Sequence, residues 1–209
     1  ENDSYRVRGG DYIARDYDIE PDVSAACYFY ALAAATGKWA MVKRMRKESL
    51  QGDMKFIKLL EKMGCTVSWE RDGRQNLWLK GPDGKLKGME VKMSDFSDQA
   101  LTLAAIAPFA DSEVTITGIA HIRGQESDRI KVIVDELAKM GILCNELPDG
   151  VKIHPGTPKN TNIETYNDHR VAMSFAVTGL AGDGMTILNP MCCKKTFAGF
   201  FDEIDRLEE

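Results

Sequence analysis

The chain of 209 residues has room for one large domain or two small ones, and its 44% apolar content is ample for a buried core. A net charge of -5 with scattered basic residues excludes a broad nucleic-acid footprint, while a local anion site remains compatible with it. Five cysteines (Cys27, Cys65, Cys144, Cys192 and Cys193) lack zinc or CxxC spacing, which points to reduced thiols in a cytoplasmic setting, and no apolar run reaches membrane-spanning length.

The first residues lack a basic signal-type region and an initiator methionine, so the chain is expected to begin within a longer protein. After Glu20-Pro21, Asp22 opens an Ala-rich helix, Trp39 to Met45 reads as a strand, and an amphipathic helix begins near Gln51-Gly52-Asp53. That helix ends at Leu60-Glu61-Lys62-Met63-Gly64, followed by a strand over Thr66 to Trp69, a turn at Asp72-Gly73 and a further strand. The order then recurs. Asp98 opens a second small-residue helix, Val114 to Ile119 is strand-like, and a helix begins near Ser127-Asp128-Arg129. It ends at Leu137-Ala138-Lys139-Met140-Gly141, before a strand over Ile142 to Asn145 and a turn at Asp149-Gly150. Asp168 opens the third copy, with a strand over Met185 to Leu188 and a helix from near Thr196-Phe197. Gly64 and Gly141 stand where a left-handed residue ends a helix.

The unit is α-β-α-β-β with a strand leading in, too long for common solenoid repeats, so three copies around a pseudo-threefold axis are expected in an α/β fold. The Ala-rich first helices should pack on one another, the second helices lie wetter and the sheets lie outside. Six helices of roughly 10 to 15 residues are expected.

Chemistry concentrates in Tyr166-Asn-Asp-His-Arg-Val-Ala-Met173, which sets ionisable residues at the mouth of an apolar helix. Asp168 can cap that helix, but Arg170 falls in its first turn, where the macrodipole disfavours a cation unless an anion is near. Arg129 and Lys195 also stand at helix starts, and three such cations imply a shared anion. On residues alone, Asp98 reads equally as an N-cap or a functional carboxylate, Glu126 as a solvated first-turn acid, and His169 as a structural hydrogen-bonding group.

The segments 166–173, Glu126-Ser-Asp-Arg129, Lys195-Thr-Phe197, Leu50-Gln-Gly-Asp53 and Asp98 with its helix occur in an order that resembles the C-terminal half of the 5-enolpyruvylshikimate-3-phosphate synthase family, the 3-phosphoshikimate 1-carboxyvinyltransferases. The resemblance implies an inside-out α/β barrel domain of three βαβαββ repeats, one of two such domains flanking an active-site cleft. Residues 1–19 would be the closing strand of the missing N-terminal domain and the crossover, and 20–209 the C-terminal domain. The domain's first strand would come from the start of the full chain, so an exposed edge is expected.

The implied reaction transfers the enolpyruvyl group of phosphoenolpyruvate to the 5-hydroxyl of shikimate-3-phosphate without metal or cofactor, in chorismate and aromatic amino acid biosynthesis. Asp98 corresponds to the general base. Glu126 corresponds to the acid that protonates the methylene carbon, a role calling for a carboxyl kept partly protonated by burial. Arg129, Arg170 and Lys195 correspond to contacts for the ligand's carboxylate and phosphate, and His169 to a histidine beside them. Gln125 and His121 stand where a lysine and an asparagine are usual, near the shikimate-3-phosphate site. Gln51-Gly52-Asp53 is assigned turn and capping structure, and Cys192-Cys193 packing. The implied partners are the two substrates and the N-terminal domain, with no nucleic acid and no membrane, in a cytoplasmic protein monomeric at full length; the isolated half is expected to be inactive. The alternatives are a UDP-N-acetylglucosamine enolpyruvyl transferase or a non-catalytic anion-binding domain. A relative of the RNA-terminal phosphate cyclases lacks the basic stripe it would need.

Overall fold

The computed structural model describes residues 4–70 and 75–207. Asp22 caps α1 (Val23–Thr36) by accepting the N–H groups of Ser24 and Ala25 at 2.8 and 3.3 Å, and Gly37, at φ 68°, ends it. Helix α1 is apolar all round, which suits a core helix. In α3 (Ala100–Ile106) every residue is buried, and α5 (His169–Ala181) is nearly as enclosed. The three pack pairwise on one another, their small side chains allowing close approach. Helices α2 (Met54–Lys62) and α4 (Arg129–Lys139) are amphipathic and bury one stripe each: Phe56, Ile57, Leu59 and Leu60 in α2, and Ile130, Val132, Ile133 and Leu137 in α4. Helix α6 (Phe200–Asp205) buries Phe200 and Ile204.

Outside the helices lie three small sheets. The first joins β1 (Trp39–Val42), β2 (Thr66–Trp69) and β3 (Leu77–Lys80) antiparallel in the order β1-β3-β2. The second joins β4 (Glu90–Lys92), β5 (Val114–Thr117), β6 (Cys144–Leu147) and β7 (Gly150–Ile153) in the order β4-β5-β7-β6. The third pairs β8 (Asn162–Ile163) with β9 (Thr186–Ile187). Alternation along the strands buries Leu77 and Leu79, and Val114 and Ile116, against the helices. The middle repeat, β4-α3-β5-α4-β6-β7, shows the whole βαβαββ unit; the third reaches α6 with no closing strand pair among the described residues.

Several boundaries differ from the sequence reading. The helices run to 14, 9, 7, 11, 13 and 6 residues, so three fall short of the expected length. Helix α3 is flanked by 3-10 turns at Ser97–Gln99 and Ala107–Phe109, the second beginning where Pro108 has no N–H to continue the ladder. The chain near Thr196 is preceded by a 3-10 segment, Pro190–Lys195, and α6 starts only after Gly199. Strand β1 stops before Arg44, whose φ of 60° breaks extended geometry, and β5 stops before Gly118 at φ 74°. Strand β6 begins two residues late because Ile142 still closes α4, donating its N–H to the Leu137 carbonyl at 2.9 Å. Cys65 closes α2 on Leu60 in the same way, and Gly64 and Gly141 have the expected positive φ, 107° and 77°. The turn expected at Asp72-Gly73 lies outside the described residues.

In the second and third sheets a strand runs parallel to the repeat's first inner strand, β4 beside β5 and β8 beside β9. Strand β1 at the corresponding place pairs only with β3, so its other edge is open. Beside that edge lies a groove of about 610 Å³ lined by Phe29, Leu32, Trp39, Met41, Leu180 and Leu207. Residues 4–22 form no helix or strand, and Asp18 ties them to the domain through Arg44 and Arg46.

A β-carbon at a left-handed position costs about 1–2 kcal/mol. Gly64→Ala and Gly141→Ala should each lower stability by that amount in urea denaturation. Gly84→Ala, where an added β-carbon meets nothing within 4 Å, should stay within about 0.5 kcal/mol of the parent.

Candidate active site

Three segment starts and one segment end converge on one charged cluster: the turn Ser97–Gln99 before α3, residues 125–129 entering α4, residues 166–170 entering α5, and Lys195, which ends a 3-10 segment and does not stand at the helix start expected of it. At the centre is Arg129, only 2% exposed. Its Nε donates to Asp168 Oδ2 at 2.8 Å, and its Nη2 to Asp168 Oδ1 at 3.3 Å and Glu126 Oε2 at 2.9 Å. Its Nη1 donates to Asp98 Oδ1 at 3.3 Å and to the side-chain carbonyl of Gln125. Five bonds match the five N–H groups of the guanidinium. Asp168 is fully buried and also accepts from Ser127 Oγ at 3.0 Å and the Arg170 backbone N–H at 2.9 Å, so the cap and the ion pair use one carboxylate.

Around this pair sit two more exposed ones. Arg170 Nη2 donates to Asp98 Oδ2 at 2.8 Å, which supplies the anion that its unfavourable place in the first turn of α5 called for. Lys195, 63% exposed at its side chain, donates to Glu126 Oε1 at 2.8 Å. That hydrogen bond, Glu126's own backbone N–H and the charges of Arg129 and Lys195 outweigh burial and hold the carboxyl down at about 2. The expectation that burial keeps Glu126 partly protonated is therefore corrected: it is a partly exposed, ionised carboxylate between two cations. Asp98 lies within the 3-10 turn and caps nothing, so of its two readings the N-cap is excluded.

The remaining candidates lie at the margin. His121 Nε2 is 2.8 Å from the hydroxyl of Ser97, next to Asp98. His169 is buried, and desolvation lowers its pKa below the usual imidazole value, so it is neutral near pH 7. It faces a cavity of about 60 Å³ shared with Arg170, Asp22, Ser24, Tyr28 and Thr196. Gln51 and Asp53 do structural work: Gln51 Oε1 takes the Val23 N–H at 2.8 Å, and Asp53 accepts from Ser24 Oγ and from Gln99 Nε2. Cys193 is buried, and its thiol is pushed up to about 12 by burial. The sequence reading missed Asp168 as Arg129's partner, because its N-cap position already accounted for an aspartate there. Among the described residues no cluster of His, Cys, Asp and Glu could hold a metal, and no helix is long and apolar enough to cross a membrane.

The family model for EPSP synthase (3-phosphoshikimate 1-carboxyvinyltransferase) matches residues 1–204. The chain belongs to the EPSP synthase family. It is 44% identical over 209 residues to a 3-phosphoshikimate 1-carboxyvinyltransferase of Nostoc punctiforme, covering all of this chain and 48% of that protein. The similarly named protein of Methanoculleus marisnigri is 41% identical over 203 residues, 97% of this chain and 47% of its own. The chain thus spans about half the length of the curated relatives it matches. Among solved structures, EPSP synthase from Acinetobacter baumannii superposes with a TM-score of 0.80 at 28% identity, over 95% of this chain and 48% of that one. The enolpyruvyl transferase NikO from Streptomyces tendae, at 17% identity and a TM-score of 0.68 over 90% of this chain and 43% of that one, shares the fold. This is the enolpyruvyl transferase fold that the resemblance implied.

Asp168→Ala would leave the Arg129 guanidinium buried without its main partner. It should cost about 3–5 kcal/mol in urea denaturation, whereas Lys195→Ala, at an exposed pair, should cost at most about 1 kcal/mol.

Proposed function

We propose that this chain is the C-terminal half of a cytoplasmic 3-phosphoshikimate 1-carboxyvinyltransferase, which moves the enolpyruvyl group of phosphoenolpyruvate to the 5-hydroxyl of shikimate-3-phosphate and releases phosphate. Residues 20–209 form the C-terminal domain, residues 1–19 belong to the crossover and the other domain, and that N-terminal domain completes the cleft. Beyond family membership, one observation carries the reading. Two carboxylates, Asp98 and Glu126, sit on the two terminal nitrogens of one buried guanidinium, and each is also held by a less buried cation.

In this reading Asp98 takes the proton of the 5-hydroxyl as its oxygen bonds to C2 of phosphoenolpyruvate, while Glu126 gives a proton to the methylene carbon. From the resulting tetrahedral adduct the bond from C2 to the phosphate oxygen breaks, the proton held by Asp98 leaves with the phosphate, and the methyl carbon returns a proton to Glu126, leaving the enol ether. Arg170 and Lys195 grip the ligand's carboxylate and phosphate, with His169 beside them and His121 and Gln125 toward shikimate-3-phosphate. At position 125 a neutral carbonyl accepts from Arg129, where a lysine would set a like charge beside it.

Glu126 is then ionised while Lys195 and Arg129 hold it. A ligand anion on Lys195 removes the hydrogen bond that contributes most to holding the carboxyl down and brings negative charge close, and both raise its pKa toward a proton donor's. Binding and acid activation are one event. Because the resting pKa is depressed, Glu126's contribution to stability is present above the ordinary carboxylate range and lost as pH falls toward 2.

Phosphate release should appear when this chain is mixed with its N-terminal half and both substrates, and not from either half alone; an inactive, folded mixture would reject the reading. In the full-length protein, Asp98→Asn or Glu126→Gln should lower kcat by about 10²–10⁴-fold with little change in KM, whereas Arg170→Ala should mainly raise KM for phosphoenolpyruvate. Calorimetry near pH 5 in buffers of different ionisation enthalpy should show proton uptake when phosphoenolpyruvate binds, and Glu126→Gln should abolish it.

A further inference from the structure

We propose that Glu136 and Tyr166 form a latch that positions Asp168 and Arg170, an inference that rests on the functional reading above. The chain enters α5 through two successive left-handed residues that are not glycine, Tyr166 at φ 51° and Asn167 at φ 55°. Each carries a steric cost, so contacts elsewhere must hold the pair in place.

Those contacts come from one face of α4. Glu136 is fully buried, and its Oε1 accepts the Tyr166 hydroxyl at 2.8 Å, while its Oε2 takes the Glu164 backbone N–H at 3.3 Å. Lys139 Nζ, 2.7 Å from Oε1, supplies the countercharge. Glu136 and Arg129 are seven residues apart, two turns of helix, so they share a face roughly 10 Å in length. Helix α4 therefore holds the segment 164–170 at both ends: Glu136 grips Glu164 and Tyr166, and Arg129 grips Asp168.

A second tie runs to the segment that carries Lys195. Asn167 Oδ1 accepts from Asn189 Nδ2 at 3.4 Å, and Asn189, itself left-handed at φ 50°, opens the 3-10 segment ending in Lys195. Were the Tyr166 hydroxyl released, the paired left-handed residues could relax toward commoner geometry. Asp168 would then turn away from Arg129, and Arg170 away from the ligand's carboxylate. Neither Glu136 nor Tyr166 touches the reacting atoms; both act through the residues they place.

The test is Tyr166→Phe, which deletes one hydroxyl from a side chain at the surface, alongside Glu136→Gln. In this 209-residue chain, both should speed amide exchange at Asp168 and Arg170 at least tenfold relative to amides within β5. In the full-length protein Tyr166→Phe should lower kcat/KM for phosphoenolpyruvate at least tenfold, chiefly through KM, with KM for shikimate-3-phosphate unchanged. A loss of stability with kinetics intact, or unchanged exchange, would overturn the latch. An inactive parent enzyme would count against the functional reading alone, since exchange still decides the latch.

Discussion

A guanidinium almost without access to water must have every N–H answered, and that demand organises this charged cluster. Arg129 cannot be moved, neutralised or left unpaired cheaply, so the elements that answer it are fixed around it: Asp168 at the start of α5, Asp98 before α3, and Glu126 and Gln125 one turn back along its own chain. The cluster is thus a packing junction as well as a chemical one. Because α3 and α5 are lined with small residues and pressed together, their starts have few alternative positions.

The threefold repetition shows how one architecture yields unlike chemistry. Where the start of a second helix meets two first helices, the first junction is closed by a neutral-donor arrangement, Asp53 with Ser24 and Gln99. The second is closed by charge, Arg129 with Asp98 and Asp168. The third is left partly open, a cavity of about 60 Å³ among Asp22, Ser24, His169, Arg170 and Thr196. Repetition supplies three equivalent niches, and side-chain substitution makes one a strut, one a charged cluster and one a gap.

Much of this was legible because the signals were local. Asp22 before an Ala-rich run, and glycines at 64 and 141 after Leu-x-Lys-Met, each specify a helix end within a few residues, and the structure places all three as read. The candidate cations Arg129, Arg170 and Lys195 also fall within one cluster, although only Arg129 and Arg170 stand at helix starts and the anions beside all three are the protein's own carboxylates. What failed depended on distance through space. Nothing near Glu126 in the chain reveals that Lys195, 69 residues away, bonds to it, so its ionisation state was misjudged. Nothing near Asp168 shows that Arg129 reaches it from 39 residues away, so a cap was all that could be read. The short α3 and the delayed α6 were obscured because 3-10 turns carry nearly the same apolar pattern as the α-helices they adjoin.

The cluster contains three cations, Arg129, Arg170 and Lys195, and three carboxylates, Asp98, Glu126 and Asp168. The cluster is therefore electroneutral over a few ångströms: the protein carries its own counterions where a bare group of cations would draw them from the medium. Under the proposed function an arriving anion exchanges places with carboxylates already in contact, so the field it meets from a distance is weak. Its capture by this half should depend on ionic strength far less than a count of three positive charges suggests.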